Sequence, residues 1–311
     1  MASACCPPGA LPYLEEEETY KPKGQIHLLP PCERRSHPCR LYIAGVDNAE
    51  DTAAWTGKRI LVVIHDVFGP NSGRHRLVCD MMAERLNAVV ILPDCYRGQG
   101  LVPGYEVEQS PAPLGFNMWT FKALSQILFR GVKSFFLQFP YENDLEYMLA
   151  DQLVPFLQSK SQGIEKVPFG MMGICFGSWV VFKACCDSKL TPHLKCGIHF
   201  HASVHIERRV HGRDDLKLCS EVTCPQFFVC TPQEKKDWHA GGKAEELLKS
   251  NTSVSEVVFI ETKEMHGFLV RGDRHNPKTK KEIESTLMAA CDFFDKHYPG
   301  QTSGKSTKAC L

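Results

Sequence analysis

A run of apolar residues in the first quarter of the chain constrains the fold more than any other feature. In Arg59-Ile60-Leu61-Val62-Val63-Ile64-His65, the apolar side chains follow one another without the alternation that a half-exposed strand shows. Such a run is typical of a strand that is buried on both faces of a parallel sheet. Residues 74–87 then have apolar side chains at helical spacing, and residues 88–92 form a second apolar run. This part of the chain therefore predicts a strand–helix–strand unit.

The same alternation continues downstream and sets the fold class. Further strands are predicted at residues 168–174, 196–201, 226–230 and 254–262, and helices at 143–159, 178–187, 242–250 and 278–297. Alternating elements of this kind predict an α/β fold, in which helices cover both faces of a mostly parallel sheet.

The division of the chain follows from where this alternation is absent. Residues 1–39 are proline-rich and predict an irregular N-terminal leader, 40–300 one α/β domain, and 301–311 a flexible C-terminal tail. Residues 101–140 are rich in aromatic side chains but fit neither period, and we interpret them as an insertion or lid near the carboxyl edge of the sheet.

Composition excludes several classes of protein. Lys and Arg together number 36, as do Asp and Glu, so the net charge is +0 and the excess positive charge of a nucleic-acid-binding protein is missing. The longest uncharged stretch is too short and too glycine-rich to span a membrane. The 15 cysteines include no C-x-x-C pair, and the first residues do not resemble a secretory signal, so free thiols and a cytoplasmic location are expected. The oligomeric state stays open.

The segment Gly173-Ile174-Cys175-Phe176-Gly177 lies between a predicted buried strand and a predicted helix. This is the position and spacing of a nucleophile elbow, a sharp turn that needs small neighbours and points its nucleophile away from the sheet. The partial positive charge at the N-terminus of the following helix favours a thiolate. Cys175 is the candidate nucleophile, and the alternative is an inert cysteine at a tight turn.

A nucleophile of this kind needs a base and an acid, which follow it along the chain in this fold. His266 comes just after the strand predicted at 254–262 and is the candidate base. The acid is expected in the loop after strand 226–230, where Glu234 is closer to the strand end and Asp237 closer to the next helix. Glu234 is favoured, and Asp237 remains the alternative.

The loop after the first buried strand is predicted to complete the site. In His65-Asp66-Val67-Phe68-Gly69, the backbone N–H of Val67 is expected to join that of Phe176 in an oxyanion hole. The Asp66 carboxylate could pair with a positive group or modulate the thiol, and the alternative is a turn-forming aspartate.

Together these segments, with His266-Gly267-Phe268 followed by Arg271-Gly272-Asp273, resemble the dienelactone hydrolase family over nearly the whole chain. The resemblance implies an α/β-hydrolase fold and a Cys-His-acid triad that acts on esters or lactones. It also implies that Asp66 contacts the resting cysteine and that Arg271 binds a substrate carboxylate. Residues 101–140 contain no clear counterpart of the family's second arginine, but Arg97 could approach the site.

The function predicted from these residues is a cysteine-dependent hydrolase of small carboxylic esters or lactones that forms an acyl-enzyme and needs no cofactor or metal. A metal site at His199, His201 and His205 lacks the carboxylate typical of hydrolytic metal centres, although His201 could contribute near the active site. Two alternatives stay open: a binding protein without turnover, and a thiol redox sensor at Cys175.

Overall fold

The computed structural model describes residues 20–31, 37–98 and 137–300, and its strands form a single sheet. In chain order they are β1 (Gln25–Leu29), β2 (Cys39–Ala44), β3 (Arg59–Ile64), β4 (Ala88–Pro93), β5 (Phe169–Ile174), β6 (Leu194–Phe200), β7 (Gln226–Cys230) and β8 (Val257–Glu261). Across the sheet the order is β1-β2-β4-β3-β5-β6-β7-β8. β2 is antiparallel to both of its neighbours, and the pairs from β4 to β8 are all parallel.

Helices connect the parallel strands. The α-helices of the described residues are α1 (His75–Leu86), α2 (Val154–Lys160), α3 (Phe176–Ala184), α4 (Ile206–Arg209), α5 (Lys243–Ser250), α6 (Phe268–Arg271) and α7 (Pro277–His297). Short 3-10 turns lie at Thr52–Trp55, Lys217–Ser220 and Lys236–Trp238, and π-helical segments at Tyr141–Leu145 and Tyr147–Leu153. Within the described residues, most of the strands and helices predicted from the sequence correspond to elements of the structure.

The unbroken apolar run of β3 is explained by the two cores that it serves. Ile60, Val62 and Ile64 belong to the core on the face that α3 covers. Leu61 and Val63 point to the opposite face and belong to the core under α1 and α7. Because successive side chains of a strand alternate in direction, a strand covered on both sides must be apolar at every position.

Two predictions of secondary structure were wrong, one in the leader and one at the helix predicted from residue 143. Residues 25–29, predicted to be part of the irregular leader, form the edge strand β1, whose five residues pair with β2 from Gln25↔Ile43 to Leu29↔Cys39. The helix predicted from residue 143 does not begin there, because Asn143 has a left-handed φ of 72°. Regular α-helix begins only at Val154, after the π-helical segment.

Other predicted segments are not covered by the structure. The first nineteen residues of the predicted leader, most of the predicted lid at 101–140 and the predicted tail at 301–311 lie outside the described residues. The division into leader, domain and tail therefore stays a prediction.

Candidate active site

Cys175 occupies the sharp turn between β5 and α3. Its backbone has φ 54° and ψ −111°, a conformation that L-residues rarely adopt and that is typical of functional turns. The two glycines of the motif make the turn possible. A Cβ on Gly177 would lie 2.1 Å from the carbonyl oxygen of Ile64, and one on Gly173 would lie 2.4 Å from that of Gly177. The start of α3 therefore packs directly against the end of β3, as a nucleophile elbow requires.

The loop after β6 encloses the backbone of Cys175. The Cys175 N–H donates to the Phe200 carbonyl at 3.0 Å, and the Ser203 N–H donates to the Cys175 carbonyl at 3.1 Å. The Ser203 hydroxyl oxygen also lies 3.5 Å from the Cys175 sulfur. Ser203 was not among the residues expected from the sequence, since nothing in the pattern after β6 distinguishes it from an ordinary loop serine.

His266 and Glu234 form a buried pair at the same edge of the sheet. His266 Nδ1 lies 2.7 Å from Glu234 Oε1, and both side chains are only 2% exposed. Thr231 also binds the carboxylate: its N–H donates to Oε2, and its hydroxyl donates to Oε1, the oxygen that contacts His266. The backbone N–H of His266 donates to the side-chain carbonyl of Gln233 at 2.9 Å, a contact that sequence spacing did not indicate.

Asp237, the alternative acid, is placed differently. It lies in the 3-10 turn Lys236–Trp238 and is partly exposed. Its negative charge acts on the guanidinium of Arg208, whose pKa is raised chiefly by Asp215 and to a smaller extent by Asp237. Of the two candidate acids, the structure brings Glu234 to His266 and leaves Asp237 on another side of the loop.

Asp66 and Arg271 are joined in a second buried pair. Arg271 Nη1 donates to Asp66 Oδ2, and Arg271 Nη2 donates to the Ser72 hydroxyl at 2.8 Å. The Phe68 N–H donates to the other carboxylate oxygen at 2.9 Å, and the Phe68 ring lies 4.6 Å from the Arg271 guanidinium carbon. Because Asp66 and Arg271 are each 1% exposed, the charges neutralise one another away from water.

A neutral histidine lies against this pair. The Asp66 N–H donates to His75 Nε2 at 3.2 Å, and His75 Nδ1 contacts the Ser72 carbonyl. Burial lowers the pKa of His75 to about 4, with the positive charge of Arg271 adding to the effect. His75 is therefore uncharged near neutral pH, and Arg271 is the cation that faces Asp66.

A match to a known protein family identifies the family of this chain. Residues 48–298 match the dienelactone hydrolase family, which is most of the 311-residue chain. The chain belongs to this family. The family predicted from the three sequence motifs is thereby confirmed. No curated protein matches the chain by sequence.

Solved structures show the same fold at low sequence identity. Acylaminoacyl peptidase from Pyrococcus horikoshii superposes with a TM-score of 0.52 at 14% identity, over 93% of this chain and 44% of the peptidase. This dienelactone hydrolase family member thus spans less than half the length of that relative. An esterase from Pyrococcus furiosus superposes with a TM-score of 0.52 at 10% identity, over 93% of this chain and 99% of the esterase. The predicted α/β-hydrolase fold is confirmed.

The two predicted oxyanion donors lie at neighbouring strand ends in this family member. Val67 is in the loop after β3, and Phe176 is the first residue of α3. β3 and β5 are paired in parallel, with Ile64 opposite Gly173, so the two loops leave the sheet side by side. Both residues are buried. This placement is compatible with a shared oxyanion site.

Arg97 was expected near the site, and its described contact points elsewhere. Arg97 Nη2 donates to the side-chain carbonyl of Gln152 at 3.1 Å, and that side chain in turn donates to the Pro30 carbonyl beyond β1. The Arg97 side chain is buried. A role of Arg97 in substrate binding stays a prediction.

The described part of the chain contains neither a group of metal-binding side chains nor a helix that could cross a membrane. Within residues 20–31, 37–98 and 137–300, no three His, Cys, Asp or Glu side chains are grouped so that they could hold a metal ion. His199 instead bonds the Gln226 side chain at 2.8 Å. In the same residues, no helix combines the length and apolar character needed to cross a bilayer.

Proposed function

We propose that this dienelactone hydrolase family member is a cysteine hydrolase of small carboxylic esters or lactones, with Cys175 as nucleophile, His266 as base and Glu234 as acid. The observation that carries the proposal is the buried 2.7 Å contact between His266 and Glu234, at the sheet edge where Cys175 occupies the elbow. A base oriented by a buried carboxylate, next to a nucleophile held at a strained turn, is the arrangement that acyl transfer requires.

The reaction follows from the hydrogen bonds of His266. Because Glu234 accepts from Nδ1, the proton of the neutral ring is on Nδ1 and the lone pair is on Nε2. Nε2 takes the proton of the Cys175 thiol, and the thiolate attacks the substrate carbonyl. The resulting oxyanion accepts from the backbone N–H groups of Phe176 and Val67. His266 then returns the proton to the leaving alkoxide oxygen as the C–O bond breaks, which leaves a thioester on Cys175.

Water completes the cycle. His266 accepts a proton from a water molecule, whose oxygen attacks the thioester carbonyl and releases the carboxylic acid. The proton on His266 returns to the sulfur, so the enzyme is restored without a cofactor.

The Asp66–Arg271 pair bears on the choice of substrate. We assign both residues to the border of the substrate site, as the family resemblance implies, and add Arg97 as an arginine that could approach it. A substrate carboxylate would have to compete with Asp66 for the Arg271 guanidinium, whereas a neutral ester would not. A neutral aryl ester is therefore the appropriate first substrate.

The cytoplasmic location of the protein stays a prediction.

Pre-steady-state hydrolysis of p-nitrophenyl acetate tests the proposal. The wild-type protein should release a burst of nitrophenol close to one equivalent, and both Cys175→Ala and His266→Ala should show no burst. Cys186→Ala is the matched control, because this partly buried thiol contacts only the carbonyls of Phe182 and Leu218 among its described hydrogen bonds and should leave the burst intact.

Equal slow rates in all four proteins would overturn the proposal and favour a binding role. A sensor role would instead require rapid disulfide formation at Cys175 with peroxide. A disulfide at Cys175 would need a second reactive cysteine. Burial makes several described cysteines poor candidates, because it raises the pKa of Cys39 to about 12 and raises the pKa of Cys196 and Cys230 even more.

A further inference from the structure

His201 lies beside the nucleophile without belonging to the triad. It follows β6 directly, has a left-handed φ of 39°, and its side chain is completely buried. Phe200 and Ser203, which flank this part of the loop, hold Cys175 in place. The Phe200 carbonyl accepts from the Cys175 N–H, and the Ser203 N–H donates to the Cys175 carbonyl. The His201 N–H donates to Val229 at 2.7 Å, which fixes this turn against β7.

The imidazole of His201 faces the reacting groups. Its ring centroid is 4.6 Å from that of His266, and the Cys175 thiol is near enough to influence its protonation. Among the described residues, neither ring nitrogen of His201 makes a hydrogen bond to an oxygen or nitrogen atom. A fully buried imidazole without such a bond is costly, and groups of this kind occur where function requires them.

The charge state of His201 limits what it can do. Burial, together with the neighbouring His266, lowers the pKa of His201 to about 4, although Cys175 and Asp66 act in the opposite direction. His205, the next imidazole along the loop, also has its pKa lowered to about 4 by burial, with Arg209 and Lys235 contributing. Near neutral pH, His201 is therefore an uncharged ring with one N–H donor and one acceptor nitrogen.

We propose that His201 donates a hydrogen bond to the Cys175 thiolate and so stabilises the charged nucleophile. The inference rests on the proposed role of Cys175. A neutral imidazole can accept from the S–H group or donate to the sulfur anion, and the bond to the anion is the stronger of the two. The Asp66 carboxylate is already bonded to Arg271 and to the Phe68 N–H, so the neutral donors placed near the sulfur are the His201 ring and the Ser203 hydroxyl.

The rate of iodoacetamide alkylation at Cys175, measured against pH by peptide mass spectrometry, tests this role without ester turnover. His201→Phe keeps a ring but removes the N–H, so the midpoint of the profile should rise by about one pH unit. At a pH below the wild-type midpoint, this shift corresponds to a rate about tenfold lower. His201→Asn, which retains an N–H donor, should restore part of the rate.

His199→Phe is the matched control. His199 is buried on β6, two residues before His201, with a pKa that burial lowers to about 4, but it bonds Gln226 rather than the nucleophile. Its profile should overlay that of the wild type. If His201→Phe fails to fold, as judged by circular dichroism, His201→Leu and His201→Asn give the same comparison between a variant without the donor and one with it.

Two results would overturn the inference. One is a profile that does not move in folded His201→Phe or His201→Leu. The other is a second inflection in the wild-type profile, separate from the thiol midpoint, that disappears in these variants, because it would mean that His201 acts as a cation. The proposed function can fail separately: the absence of an ester burst would remove it, and the alkylation profile would still report the effect of His201 on the thiol.

Discussion

Replacement of Glu234 by glutamine is expected to lower kcat/KM for p-nitrophenyl acetate by about 10³–10⁴-fold, the scale of loss when a triad acid becomes an amide. The reason lies in the hydrogen bonds of Thr231. Its N–H must donate to the side chain of residue 234, so it fixes the amide oxygen of the glutamine on that side. The amide NH₂ then faces His266 Nδ1 and donates to it, which stabilises the tautomer whose proton is on Nε2. In this tautomer Nε2 has no lone pair and cannot act as a base.

Asp237→Asn is the matched control for this substitution. It removes one negative charge from the same loop, at a partly exposed position that interacts with Arg208 rather than with His266. Its kcat/KM should stay within about twofold of the wild type, since surface charges of this kind contribute little. Equal losses in both variants would show that charge in the loop matters and that orientation of His266 does not. A large loss in Asp237→Asn alone would assign the acid to Asp237.

Asp66→Asn should destabilise the folded protein by about 3–5 kcal/mol, because removal of one partner leaves the Arg271 charge buried and uncompensated. Arg271 is only 1% exposed, so water cannot take over the lost interaction. Urea unfolding followed by circular dichroism gives the free energy of unfolding. In the double variant Asp66→Leu/Arg271→Met both charges are absent, and much of the lost stability should return.

An exposed ion pair provides the comparison for this experiment. Lys243 and Glu246 lie 3.0 Å apart on α5 with exposed side chains, so Glu246→Gln should cost less than about 0.5 kcal/mol. A similarly small cost for Asp66→Asn would contradict the account of a buried, mutually dependent pair. A double variant less stable than Asp66→Asn alone would do the same.

The parts of the site that were predictable depend on strong local constraints. The elbow was visible because two glycines are required where the start of α3 meets the end of β3, and Gly177 leaves no room for a Cβ next to Ile64. The strands were visible because burial on both faces demands unbroken apolar runs. The base was visible because His266 follows a strand in the expected chain order.

Other parts depend on contacts between segments far apart in sequence. The direction of a side chain in a loop has no period, so spacing alone could not separate Glu234 from Asp237. Ser203 contacts Cys175 through its N–H and its hydroxyl, and Gln233 accepts one hydrogen bond from His266; such contacts leave no pattern in the chain. β1 was missed because it is an edge strand of only five residues, in which the apolar side chains of Ile26 and Leu28 are exposed rather than buried.

The central claim is that Cys175 carries the acyl group, and its most direct test is to locate that group. Wild-type protein would be mixed with p-nitrophenyl acetate, quenched with acid within the burst phase and analysed by intact mass and peptide mapping. The account predicts one acetyl group per chain, on the peptide that contains Cys175, and none at that peptide in Cys175→Ala. An acetyl group on Ser203, or on another cysteine with Cys175 unmodified, would contradict it.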